Sequence, residues 1–480
     1  MTEVGSSRRW WILGVICLAQ LMDVLDVTIV NIALPHAQQE LRFSEGDRQW
    51  IVTAYALAFG SLLLLFGRVC DLIGRRRMLL IGLALFAVAS AVGGAAPSFG
   101  VLVTARALQG TAGAMIAPAA LSLLATTFTE KKARATAFAV FGAVSGSGAA
   151  VGMLLGGLLT EFLSWRYTLY VNVFIAIAAI LGTIFLIPRQ AREDTRPRLD
   201  MPGTLLVCAG LFCIVFGFSS VDSHGWTQPP TWGFLAAGLA LLVAFLWWQS
   251  RSQHPLLPLR VLLNRTRGGA NLAIFISGIG LFGAFLFVNY YMQLVLHLTP
   301  LLTGLAFLPM VATIVIAGGI STTQLYYRVG PKVPITAGMI IAAAAMVWMT
   351  RIGSDSSYAI ALLGPLAMLG IGIGATIAPA MNAGTSGVRQ DDAGIASATV
   401  NVSQQIGGAV GTAFLNSLAA ATMAAFLVGR DATSNTVQTD AAIQSYIGAF
   451  WATSAIFLVG AVLCGVLIPN RRPEPALIAS

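Results

Sequence analysis

Charge is scarce in this chain: Lys, Arg, Asp and Glu together make up 10% of its 480 residues, where soluble domains carry about 25%. Beside 57% hydrophobic residues, that scarcity excludes an ordinary water-soluble enzyme. Spans of about 20 residues use up the length and leave no room for a sizeable soluble domain. Cysteine is sparse too. Cys17, Cys70, Cys208, Cys213 and Cys464 fall in or at the ends of apolar stretches, without the spacing of a disulfide framework or zinc site, and read as packing residues. The four histidines, His36, His224, His254 and His297, lie at or beyond the ends of those stretches. Without a deep cluster of His, Cys and acids, a polytopic membrane enzyme or receptor is disfavoured, and neither metal nor cofactor is expected. No A-x-A-like cleavage site follows the first apolar stretch, so it is expected to stay as the first helix.

What is present is a long series of apolar segments. About fourteen can be drawn, from 10–35 to 444–469. The net charge of +9 has the sign that nucleic acid attracts, but its distribution argues against such a partner. With the N-terminus inside, 22 of the 28 Lys and Arg residues fall in cytoplasmic segments, as the positive-inside rule requires. Both termini are then cytoplasmic, and the bilayer is the partner. Arginine outnumbers lysine 25 to 3 and Ala and Gly abound, which hints at a GC-rich bacterial genome and so at a bacterial cytoplasmic membrane.

The chain also repeats itself. Gly113-Ala114-Met115-Ile116-Ala117-Pro118-Ala119 in span 4 returns as Gly374-Ala375-Thr376-Ile377-Ala378-Pro379-Ala380 in span 12, and Ala-Val-Gly at 150–152 returns at 409–411. An offset of eight spans makes the copies run in the same direction, as in transporters built from two parallel halves. The expected organisation is an all-α integral membrane protein: a six-helix bundle over 1–188, a linker with spans 7 and 8 over 189–267, and a second six-helix bundle with a short cytoplasmic tail over 268–480. Chance similarity among Gly/Ala-rich helices is the plainer reading of either match alone.

Three ionisable residues lie deep in apolar spans: Asp23, Asp26 and Arg106. Each such charge costs roughly 2.5–3.5 kcal/mol at a span centre, which makes it a functional hypothesis by default. A low-dielectric setting disfavours the ionised carboxylate, which suits a group that loads and releases a proton. At 1.5 Å per residue Asp26 lies roughly 13 Å and Arg106 roughly 9 Å below the outer ends of their spans, a gap that a long Arg side chain closes. Asp26 is therefore the expected partner of Arg106, and two acids against one base leave one carboxylate unpaired. A structural ion pair that fixes helix packing is the alternative.

At the end of span 2 stands Gly67-Arg68-Val69-Cys70-Asp71-Leu72-Ile73-Gly74-Arg75-Arg76-Arg77. A topology anchor accounts for its arginines but requires neither Asp71 nor the two glycines. The segment resembles the signature loop of the major facilitator superfamily, Gly-x-x-x-Asp-x-x-Gly-Arg-Arg. Three further stretches resemble signatures of its fourteen-span drug:proton antiporter branch. Leu25-Asp26-Val27-Thr28-Ile29-Val30-Asn31-Ile32-Ala33-Leu34-Pro35 is similar to the first-helix motif, Arg106-Ala107-Leu108-Gln109-Gly110 to the fourth-helix motif, and Gly148-x-x-x-Gly152-Met153-Leu154-Leu155-Gly156-Gly157 to the fifth-helix motif.

The resemblance implies a major facilitator fold of two six-helix bundles plus two central helices. It further implies a monomeric, proton-coupled exporter of lipophilic drugs or antibiotics, working by alternating access and substrate:H+ antiport. Asp26 would be the proton-linked carboxylate, with Asp23 assisting. Arg106 with Gln109 would couple its protonation to movement, and Gly67, Asp71, Gly74 and Arg75 would latch one side. The second half has no deep acid, so the expected substrate is a neutral or monocationic lipophilic compound. Candidate cavity residues are Asn31, Tyr55, Gln109, Asn289, Tyr290, Gln293, Asn401, Gln404 and Gln405, being polar or aromatic in spans expected to face the centre. One departure matters: the fifth-helix motif normally has Pro where this chain has Met153. Without that helix breaker, Gly148, Gly152, Gly156 and Gly157 either gate or simply pack, and an uptake symporter of a small organic solute stays open. Pro118, Pro309, Pro365 and Pro379 are the remaining candidate hinges.

Overall fold

The computed structural model describes residues 6–128, 130–188, 200–219, 226, 228–252, 255–257, 259–354, 356–386, 393–431 and 434–470. Among them every regular element is helical. In the first half the long helices are α1 (Ser6–Leu41), α2 (Glu45–Ile73), α3 (Arg75–Gly94), α4 (Phe99–Thr127), α5 (Lys131–Phe162) and α6 (Tyr167–Leu186). Then come α7 (Met201–Ser219) and α8 (Pro229–Arg251). The second half holds α9 (Arg265–Tyr290), α10 (Pro300–Ile320), α11 (Lys332–Met349), α12 (Gly364–Thr385), α13 (Ala393–Leu427) and α14 (Asn435–Leu467).

Among the described residues, 12 helices are long and apolar enough to cross a membrane. Within α2 and α5 the apolar stretches are shorter, Trp50–Leu63 and Val151–Phe162. The outward faces explain the composition. Phe174, Phe185, Ile360 and Val462 are 66–79% exposed, and a surface so apolar over so many helices is stable only against lipid.

Local signals set the helix ends. Ser44 and Asp47 form a reciprocal capping box that starts α2, with Asp47 N donating to Ser44 Oγ at 3.1 Å. Asp200 caps α7, accepting from Gly203 N at 3.0 Å. Between α2 and α3 the chain turns on Gly74, whose φ of +93° suits glycine and few other residues.

Contacts divide the chain into two units. The first comprises Met1–Ala209, Ser252–Leu256 and Thr299–Leu305. In it α1 packs on α5 and α6, α3 on α4 and α6, and α2 on α4. The second comprises Gly210–Arg251, Leu257–Leu298 and Ala306–Ser480. In it α9 packs on α13 and α14, and α11 on α12 and α14. These are the same partnerships eight helices on, as the repeated sequences anticipate. The glycines repeat with them. A Cβ at Gly148 would lie 2.9 Å from Val24 on α1 and one at Gly152 2.0 Å from Thr28, while one at Gly407 would lie 2.1 Å from Phe275 O on α9 and one at Gly411 2.6 Å from Ile279. Small residues four apart let the two backbones approach, and this close approach builds both pairs.

Pro118, Pro309 and Pro379 lie inside α4, α10 and α12. Pro365 follows directly on the π-helical turn Ala359–Leu363, inside a helix that runs continuously from Ala359 to Thr385. Two further π-helical turns, Tyr291–Val295 and Ser321–Leu325, interrupt the second half.

Candidate functional site

Asp26 is fully buried and Asp23 is 6% exposed, one turn apart on α1. A carboxylate without water must be satisfied by protein donors, and helices α4 and α6 supply them to Asp26. Arg106 on α4 reaches Asp26 Oδ2 with Nη1 at 2.5 Å. Gln109, one turn on, donates to Asp26 Oδ1 at 2.9 Å, and its own carbonyl accepts from Arg106 at 2.9 Å. Asn172 on α6 donates to the same Oδ1 at 2.6 Å. Ser90 on α3 accepts the second Gln109 N–H at 2.8 Å.

The guanidinium is held on its other sides as well. Arg106 Nε donates to Ile51 O on α2 at 3.2 Å, and the group lies 4.5 Å above the Tyr55 ring. Tyr55 in turn donates its hydroxyl to Asp23 Oδ1 at 2.7 Å. The two acids and the base thus form one connected network across α1, α2, α3, α4 and α6. A Cβ at Gly110 would lie 2.2 Å from Tyr55 O, so the glycine of the fourth-helix motif is what lets α4 approach α2 and bring Arg106 within reach.

Helix α6 is fastened at both ends by arginines. At one end Arg166 donates to Glu40 Oε1 at 2.9 Å and to Gly94 O and Ala96 O at 2.9 and 2.8 Å, and Trp165 donates to Glu40 Oε2 at 2.6 Å. At the other, Arg8 donates to Leu186 O at 3.1 Å and Arg76 to Ile184 O at 3.1 Å. Cations at these last carbonyls also complement the helix dipole. Arg76, which reads as a membrane-face anchor in the sequence, is therefore a C-terminal cap for α6.

The structure brings Asp26 and Arg106 together as their depths suggest, and Gln109 with them. Asp23 makes no ion pair among the described residues and takes the neutral phenol of Tyr55, so Tyr55 joins the acid network. Two further charges, Arg48 and Asp200, are buried at helix ends, 4% and 6% exposed. Ser90 and Asn172 escaped the sequence reading altogether. Asn172 is the single amide in the apolar helix Tyr167–Leu186 and Ser90 the single hydroxyl in Arg75–Gly94, a weak but usable signal.

Of the remaining candidates, Asn31 is buried and donates to Val27 O of its own helix at 3.1 Å. In the second unit Asn289, Tyr290 and Gln293 are buried, and Gln293 donates to Asn289 at 2.8 Å. Asn401, Gln404 and Gln405 are half-buried on α13. In the loop motif Gly74 makes the turn and Arg75 is half-exposed, while the side chain of Asp71 lies outside the described residues. Among the described residues of other helices, a Cβ at Gly67 would meet nothing nearer than Pro118 Cβ, at 4.0 Å. Met153 is buried in an unbroken α5. A Cβ at Gly156 would lie 2.9 Å from Ile29 of α1, and one at Gly157 would meet backbone instead, 2.6 Å from Pro300 O.

A bilayer-spanning all-helical chain with a repeated half and a charged network closed inside its first unit belongs to the class of membrane transporters, not enzymes. Known proteins narrow this. The family model of the Major Facilitator Superfamily matches residues 16–412. The chain is 47% identical over 466 residues to the puromycin resistance protein pur8 of Streptomyces alboniger, covering 97% of this chain and 92% of that one. It is 36% identical over 462 residues to the cephamycin export protein CmcT of Amycolatopsis lactamdurans, covering 96% and 92%. A crystal structure of a bacterial homologue of the human lysosomal transporter Spinster superposes with a TM-score of 0.67 at 15% identity, covering 98% of this chain and all of that one, which shows the shared fold. The chain belongs to the major facilitator superfamily and is a multi-pass membrane transporter.

Proposed function

We propose that this protein exports lipophilic antibiotics from the bacterial cytoplasm in exchange for protons, with fourteen spans, both termini cytoplasmic, the bundles 1–188 and 268–480 as its two moving halves, and the monomer as the working unit. The observation that carries this reading is the Asp26 carboxylate, without solvent exposure and bonded to Arg106, Gln109 and Asn172. A permanent ion pair would need no second acid beside it, whereas here Asp23 lies one turn away on a neutral phenol. Protonation of Asp26 cancels the charge that Arg106 is bound to, and the freed guanidinium retains its bonds to Ile51 O and Gln109. The pair thus has two arrangements, which is what proton-driven alternating access requires. The glycine loop at Gly67, Asp71, Gly74 and Arg75 is the proposed latch.

The substrate is proposed to be a neutral or monocationic lipophilic compound. The names of pur8 and CmcT attach puromycin and cephamycin to those relatives, and the absence of a deep acid in the second half disfavours dications. Candidate contacts are Asn31, Tyr55, Asn289, Tyr290, Gln293, Asn401, Gln404 and Gln405. Everted membrane vesicles test the whole reading. When a panel of antibiotics beginning with puromycin is added to energised vesicles, at least one member should discharge the pH gradient, and Asp26→Asn should abolish the response while the protein still inserts. Wild-type discharge in that variant removes Asp26 from the mechanism. Met153 in place of proline keeps the uptake symporter as a second reading, and it gains if accumulation follows an inward gradient in right-side-out vesicles instead.

A further inference from the structure

Asn172 has one end of its amide in use and the other idle. Nδ2 donates to Asp26 Oδ1 at 2.6 Å, while Oδ1, in a residue with no solvent exposure, accepts no hydrogen bond. The other acceptors around Asp26 are committed: Gln109 Oε1 and Ile51 O to Arg106, and Ser90 Oγ to Gln109. The titratable and charged groups that bear on this pair are Asp23 from α1, Tyr55 from α2 and Arg106 from α4. Of the other helices packed on α6, α3 presents Ser90, and among the described residues no hydrogen bond or ion pair joins α5 to Asn172.

An ionised carboxylate only accepts hydrogen bonds, but a carboxylic acid must also donate one. The cation lies on Asp26 Oδ2, so an arriving proton settles on Oδ1, the oxygen that Asn172 faces. We propose that Asn172 is a positioning residue serving both protonation states of Asp26. Its Nδ2 donates to the carboxylate. After a half-turn about its terminal torsion, which is soft and nearly two-fold for an amide, its Oδ1 accepts the acid O–H. The proton comes from solution and returns to it; Asn172 stays neutral and only exchanges one hydrogen bond for another. The inference rests on the reading of Asp26 as the proton-binding group.

Infrared difference spectra of the full-length protein in lipid vesicles, stepped through pH, test it with protons as the only ligand. Asparagine carrying carbon-13 in its side-chain carbonyl marks the amide. The expected result is a label-sensitive amide band that shifts in step with the carboxylic acid band of Asp26. Both changes should vanish in Asp26→Asn. In Asn172→Leu the acid band should persist, displaced, and the label-sensitive change should be lost; Asn172→Gln, which carries no label, should return an amide band that shifts with the acid band but is insensitive to the label. An acid band that titrates with no label-sensitive partner overturns the role of Asn172 alone. The lack of any acid band in the unaltered protein overturns the role of Asp26 and this inference with it. Should Asn172→Leu fail to insert, Asn172→Gln decides the question, since loss of the label-sensitive change there supports the role and its persistence, from another asparagine, refutes it.

Discussion

Arg106 does several jobs with one side chain: it neutralises Asp26, bonds Ile51 O, orients Gln109 and covers the ring of Tyr55. Removing it strands a buried charge, for which a loss of about 3–5 kcal/mol is usual. Arg106→Ala should therefore abolish transport and lower the melting temperature in detergent. Asp26→Asn combined with Arg106→Ala should recover part of that stability, because no unpaired carboxylate remains. An unchanged melting temperature in the single variant would show that Asp26 is not charged in the resting protein. At this scale the sequence is informative where a residue is expensive and silent where it is cheap. Asp26 and Arg106 stand out because charges in apolar helices are rare, while Asn172 and Ser90 resemble the polar residues that helices carry for packing. Tyr55 is visible as a polar aromatic, but its bond to Asp23 depends on how α1 and α2 lie beside each other, which no local pattern encodes.

At the scale of helices, glycines separate into those that space requires and those that it does not. A methyl at Gly152 would lie 2.0 Å from Thr28 Oγ1 and 3.1 Å from Leu25 O. Gly152→Ala is expected to cost about 1–3 kcal/mol by overpacking, and Thr28→Ala in the same chain should return part of it, both read by thermal unfolding. Gly74 is constrained by its backbone, at φ +93° and ψ 139°, so Gly74→Ala should cost about 1–3 kcal/mol. Gly67 is constrained by neither, and Gly67→Ala should leave stability within about 0.5 kcal/mol. If Gly67 serves the latch, the same variant loses at least tenfold in transport rate, its need for space arising in another conformation. Normal transport in Gly67→Ala removes it from the latch. Helix existence and the repeat were readable from hydropathy and from the Gly-Ala-x-Ile-Ala-Pro-Ala copies. The π-helical turns were not, because one extra residue in a turn leaves hydrophobicity unchanged.

For the whole molecule, the proposed exchange for protons sets which form of stored energy would drive export. Each pH unit supplies about 1.4 kcal/mol, and a membrane potential adds about 2.3 kcal/mol per charge per 100 mV only when net charge crosses. One-for-one exchange of a monocation for a proton moves no net charge. Its rate should be insensitive to collapse of the potential by valinomycin with potassium and abolished by collapse of the pH gradient with nigericin. Export of a neutral compound should fall with either. A monocation whose export tracks the potential would exclude one-for-one exchange. Membrane class, family and the location of the acid in the first helix were all legible from composition and motifs, because lipid imposes strict rules on length and charge. How neighbouring helices share the burden of one buried carboxylate was not.

The arginines at either end of α6 have a mechanical consequence. A rod tied at top and bottom resists sliding along its own axis, so the amide at Asn172 is held at one height beside α1. The change between the two chemical states of Asp26 then falls first on side chains inside the first bundle, which can move as one body against the second.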